Sequence, residues 1–102
     1  MQSYVAIQKI LERDQPWGPR DDLQALACPV CGDTYHHWRT PHEVPGNDNY
    51  EAGWPGRGNL LVIPIDGECG HYWELCLGSH KGDVAIFARY YDKGGYPNGT
   101  RP

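Results

Sequence analysis

Four cysteines and five histidines carry most of the chemistry this sequence offers, and three of the cysteines fall in a pattern. Cys28-Pro29-Val30-Cys31-Gly32 sets two thiols at Cys-x-x-Cys spacing and follows them with glycine. A tight turn of that kind aims both sulfurs at one point, and the glycine permits a backbone conformation that a side chain would hinder. About forty residues later comes Cys69-Gly70-His71, with Asp66 standing where a second Cys-x-x-Cys would begin. Two half-sites far apart in sequence describe a metal clamp. Cys28, Cys31 and Cys69 supply three thiolates, whereas zinc prefers four ligands in a tetrahedron.

Reach ranks the candidates for the fourth position. His71 lies two residues from Cys69 on the same face of an extended chain, roughly 6.5–7 Å away, which suits two bonds to one ion. Asp66 ranks next, then His37, then water. Water would leave the site open, and an open metal site can catalyse. Cys76 lies about 23 Å beyond Cys69 along a strand and points to the opposite face, so it reads as a small core or surface residue.

A metal is one of two uses for these thiols. The first residues show no basic stretch followed by an apolar one, as a secretion signal would. No apolar run reaches the roughly 20 residues of a membrane span. The expectation is therefore a reducing, cytoplasmic setting, where Cys-x-x-Cys serves metal binding or redox chemistry more often than a disulfide framework. A thioredoxin-type site calls for a helix opening at the motif. Here Gly32-Asp33 and the β-forming run Thr34-Tyr35-His36-His37-Trp38 follow instead.

The elements that must position these residues are short. With 102 residues, thirteen Gly and nine Pro, the chain holds one small domain of turns and brief strands, which needs a staple. Residues 3–13 read as an N-terminal helix: Ser3 can cap it, and Tyr4, Ile7, Ile10 and Leu11 share one face. Together with the Pro16-Trp17-Gly18-Pro19 cluster that ends it, this segment forms a leading unit over 1–19. Residues 20–92 form the main domain, with strands expected at 34–39, 60–65, 71–77 and 84–91. Pro64 marks its strand as an edge or as bulged. Residues 93–102 read as a flexible tail, and the Asn98-Gly99-Thr100 sequon reads as chance.

Residues 41–58 read as a long loop, either functional or mobile. Tyr50 and Trp54 within it either meet a partner or fold back over the core. His80-Lys81-Gly82 admits two readings as well. The pair could contact a phosphate, a carboxylate or an acidic patch, or the three residues could simply build a turn.

The net charge of −4 is uneven: residues 1–51 hold four Lys/Arg against eight Asp/Glu, and residues 52–102 hold five of each. No basic stripe appears, which argues against general nucleic-acid binding.

Taken together, Cys28-Pro-Val-Cys-Gly32 with Tyr35-His36-His37, the Cys69-Gly-His71 knuckle, Trp73-Glu-Leu75 and His80-Lys81-Gly82 form a pattern. It resembles the small zinc-ribbon proteins of bacteriophages and actinobacteria over residues 26–90. Those relatives carry Cys where this chain has Asp66. The resemblance implies a small, mainly β, two-knuckle zinc ribbon with structural Zn2+, in a bacterial or phage-infected cell. It implies no particular activity.

Three functions follow as expectations. The first is a non-enzymatic, zinc-stabilised module that binds a protein, with Trp54, His80 and Lys81 as contacts and a host-directed role by analogy. No nucleophile–base–orienter set stands against it. The second is a nucleic-acid-binding ribbon using Trp38, Trp54, Tyr72, Arg57 and Arg89. The third is a hydrolytic zinc enzyme with three thiolate ligands, an open position, and Glu68 or His37 as base.

Overall fold

A computed structural model describes residues 2–12, 23–46, 54–56 and 58–91 of the chain. Tyr50, Arg57, the 93–102 tail and the Pro16–Pro19 breaker lie outside the described residues. Within them the protein is a small antiparallel β structure with almost no helix.

Three long strands form its centre: β6 (Leu60–Gly67), β7 (Tyr72–His80) and β8 (Asp83–Tyr91). β6 and β8 are rich in β-branched and aromatic residues, which suit a pleated, half-buried surface, and β7 opens on Tyr72 and Trp73. β7 and β8 are joined by two residues only, Lys81 and Gly82, with φ of 50° and 89°. Positive φ at both positions is the hairpin turn whose twist matches that of the flanking strands. His80-Lys81-Gly82 is thus a turn, with His80 set opposite Asp83 across it.

The N-terminus departs from the expected helix at 3–13. It forms strand β1 (Gln2–Ala6), one 3-10 turn (Ile7–Lys9), and the two-residue strand β2 (Leu11–Glu12). β1 pairs antiparallel with β8, from Gln2 opposite Tyr91 to Ala6 opposite Phe87. A helix of about eleven residues is marginal in water, whereas the open edge of β8 offers a full ladder of backbone partners. The same spacing that suggests a helical stripe also lets Val5 face the core while Tyr4 packs on Phe87, ring centroids 5.3 Å apart.

On the other side of the sheet, β4 (His36–Trp38) and β5 (His42–Val44) both pair with β6. Trp38 stands opposite Ile65 and His42 opposite Val62, so residues 39–41 face only residues 63 and 64. β4 and β5 are one strand interrupted by a bulge. Pro64 sits at that bulge, and its carbonyl accepts the Arg39 N–H at 2.9 Å. Its missing N–H points the same way, toward the only stretch of β6 where regular pairing is suspended.

Register divides the side chains between two faces. One face carries Leu60, Val62 and Cys76, with Val44, Trp54 and Phe87 packed against them. The Trp54 ring stacks on Phe87 at 6.2 Å, and its Nε1–H donates to the Gly58 carbonyl at 3.2 Å. It also covers Gly78, where an added Cβ would stand 2.5 Å from the ring. Trp54 therefore folds back over the core. The same face buries an Arg89–Glu74 ion pair (2.6 Å), with the Tyr72 hydroxyl donating to the second Glu74 oxygen at 2.7 Å.

The opposite face carries Ile65, Trp73 and Ala88 and is covered by Ile10, Leu26 and Cys28. Leu26 lies in β3 (Ala25–Leu26), which pairs with β2; Ile10 immediately precedes β2 and Cys28 follows β3. The cysteine knuckles sit at this end.

Candidate metal centre

The first knuckle follows β3 directly. The Ala27 N–H donates to the Ile10 carbonyl at 2.7 Å, and His36 Nε2–H donates to the Leu26 carbonyl at 2.9 Å. The His36 ring meets Trp73 edge to face, centroids 5.5 Å apart. The knuckle then closes through Gly32 N–H to the Cys28 carbonyl (2.8 Å) and Cys28 N–H to the Asp33 carbonyl (2.7 Å). Gly32 has φ of 83°, a conformation only glycine adopts cheaply. The Val30 N–H points at Cys28 Sγ from 3.4 Å, as a donor to a thiolate would.

The second knuckle is the β6–β7 turn. Gly67 N–H donates to the His71 carbonyl (2.9 Å), Gly70 N–H donates to the Gly67 carbonyl (3.0 Å), and Gly70 has φ of 88°. The Glu68 N–H donates to the Tyr35 carbonyl at 2.8 Å, which ties the turn to the strand that leaves the first knuckle. Gly67 has no room for a side chain, because a Cβ there would stand 2.7 Å from Cys69 Sγ.

These two turns bring Cys28, Cys31, Cys69 and His71 together, with their donor atoms all within 4.8 Å of one another. Cys28 Sγ and His71 Nδ1 are 3.7 Å apart. A tetrahedral ion with bonds of about 2.0–2.3 Å requires donor separations of roughly 3.5–3.8 Å, so the group needs only slight contraction to hold a metal. All four positions are filled by protein donors.

The other candidates for the fourth position are engaged elsewhere. Asp66 is paired with Arg39. His37 lies on the surface with its Nε2 2.7 Å from Glu68 Oε1. Cys76 is buried on the far face, and burial pushes its thiol up to about 12. Burial acts differently on the two thiols of the first knuckle. The Asp33 backbone hydrogen bond holds the Cys31 thiol below its ordinary value, with Cys69 as a second contributor. Burial raises Cys28 to about 11. A metal ion would displace its proton and supply the positive charge that burial withholds.

Of Trp54, His80 and Lys81, the first lies over the Phe87 core and the other two belong to the β7–β8 hairpin end. His36 and Gly67 hold the two knuckles in register through contacts that the motif spacing alone does not specify. The signal for His36 was its place in the strand that continues from the first knuckle, and for Gly67 its place two residues before Cys69. No family model matches the chain, and no curated protein or solved structure matches it.

Proposed function

We propose that the chain is a zinc-stabilised interaction module, in which a structural Zn2+ held by Cys28, Cys31, Cys69 and His71 clamps two knuckles over a β-sheet that binds a protein partner. The carrying observation is the convergence of four protein donors from turns forty residues apart. A donor set closed by protein leaves no position for water, which favours a structural ion over a catalytic one. Three thiolates and an imidazole favour zinc over the hard cations.

The binding role rests on the edge formed by β4. Tyr35 and Trp38 are 72% and 78% exposed there. The Tyr35 carbonyl and the Arg39 N–H are both spent on the β6 side, so antiparallel alternation turns the backbone groups of His36 and Trp38 outward. Among the described residues nothing pairs with that edge, and unpaired backbone groups beside large exposed aromatics suit an extended segment of a partner. Tyr72, Trp54 and Arg89 are occupied in internal contacts, which weighs against nucleic-acid binding through those residues.

Metal analysis of the purified protein tests the clamp. One zinc per chain is expected for the wild type and for Asp66→Ala, with loss in Cys28→Ala, Cys69→Ala and His71→Ala. A full complement in His71→Ala would transfer the fourth position elsewhere. Capture from a bacterial lysate with wild type and Trp38→Ser, both zinc-loaded, tests the edge. Equal recovery of every captured protein would remove Trp38 from the binding surface.

A further inference from the structure

The four donors differ in their access to solvent. Cys28 is 2% exposed, Cys69 and His71 are partly covered, and Cys31 is exposed. The ion would thus be sealed on three sides and approachable through one sulfur. The only other cysteine, Cys76, lies under Trp54 and Phe87 on the opposite face of the sheet.

What the knuckles cover matters equally. Ile10, Leu26 and Cys28 lie over Ile65, Trp73 and Ala88, and Trp73 is fully buried there with no hydrogen-bond partner for its Nε1 among the described residues. An unsatisfied buried donor of that kind gains hydration when its cover lifts. Further along the same face the cover ends. Leu61, Leu77 and Ile86 form one cross-strand row, and Leu61 and Ile86 are 38% and 48% exposed, with Val84 beyond them at 70%. Lifting the knuckle layer would join Trp73 and Ile65 to that row.

We propose that the metal centre is a peroxide-released latch on this face, opened by oxidation of Cys31; the inference rests on the metal reading above. The Cys31 thiolate attacks one oxygen of a hydroperoxide, the O–O bond breaks, and Cys31 becomes a sulfenic acid while the other oxygen leaves as hydroxide or alkoxide. Cys28, in the same turn, then attacks the Cys31 sulfur. The S–S bond forms and hydroxide leaves. Two thiolates lose two electrons, the peroxide gains them, and two protons from solvent complete water and water or alcohol. The metal remains divalent throughout. It retains only Cys69 and His71, too few donors to hold it, and departs. The knuckle layer, then tied to the β6–β7 turn only by backbone hydrogen bonds such as that from Glu68 to Tyr35, loosens over Trp73.

The test treats zinc-loaded, full-length protein with hydrogen peroxide and follows three signals. These are zinc release to a chromophoric chelator, disulfide mapping by mass spectrometry, and binding of a hydrophobic dye. About one zinc per chain should be released, with a Cys28–Cys31 bond and a rise in dye binding of several fold. Cys31→His keeps four donors and should release zinc at least about tenfold more slowly, whereas Cys76→Ser should match the wild type. Retention of zinc under excess peroxide, or release without a Cys28–Cys31 bond, overturns the latch while leaving the metal reading intact. Protein that carries no zinc before oxidant is added overturns the metal reading, and the latch with it.

Discussion

Four cysteines of one small chain occupy three different chemical situations. Cys31 accepts a backbone hydrogen bond at the surface, Cys28 and Cys69 lie at the edge of an apolar layer, and Cys76 is enclosed entirely. Sequence spacing separated the first three from the fourth, because a knuckle needs its ligands in turns and Cys76 falls within a strand. Spacing could not identify the fourth donor uniquely, since Asp66 and His37 were within plausible reach. Only the pairing of Asp66 with Arg39 and of His37 with Glu68 removes them. Cys76 also has a consequence for pH. Its folded-state thiol lies near 12 against an ordinary value of 9.0, so the folded state prefers the neutral form. The stabilisation this gives is complete below pH 9 and is lost as pH rises from there toward 12. Cys76→Val, close in volume and unable to ionise, should flatten that alkaline decline. Urea midpoints measured at pH 7, 9 and 10.5 would show it, and parallel declines in the two proteins would assign the loss to other groups.

Strands were easier to place than the way they connect. β6, β7 and β8 were legible because each is an apolar or alternating run bounded by glycine or by a turn pair. The expected limits were shorter than the observed strands by only a few residues. The N-terminal segment was misread because periods of two and of three to four coincide over so few residues, and the choice depends on an unpaired β8 edge far along the chain. Proline marked β6 as an edge or as bulged, and pairing on both sides leaves the bulge; β5 opposite it was missed, because 42–44 fell within the loop expected over 41–58. Hairpin chemistry gives this scale its prediction. Lys81 is the one non-glycine residue with positive φ among the described residues, at the first position of a turn that favours asparagine. Lys81→Asn should raise the melting temperature slightly. Gly82→Ala, at φ of 89°, should cost about 1 kcal/mol in a denaturant titration. If the order of the two variants were reversed, strain at this turn would not be what limits the hairpin.

At the scale of the whole molecule, the two faces of the sheet would depend on a bound metal to different degrees. The face with Leu60, Val62 and Cys76 is closed by Trp54, Val44 and Phe87, none of which belongs to a knuckle. The face with Trp73 is closed by segments whose attachment to the sheet runs through His36, the β2–β3 pair and the metal donors. Four donors linking the first knuckle to the β6–β7 turn add a cross-link whose effect grows with ion binding. An ion present at a thousand times its dissociation constant adds about 4 kcal/mol of stability, a large share of what a small domain has. Chelation should therefore lower the melting temperature without loosening all strands alike. Amide hydrogen exchange should quicken first at residues 25–33 and 67–72, while the central amides of β7 between Leu75 and Leu77 keep the most protection. Uniform loss would mean that the metal holds the entire sheet. Unchanged exchange and melting after exhaustive chelation would mean that the apolar layers hold the fold unaided, and that the gathered thiols serve some other end.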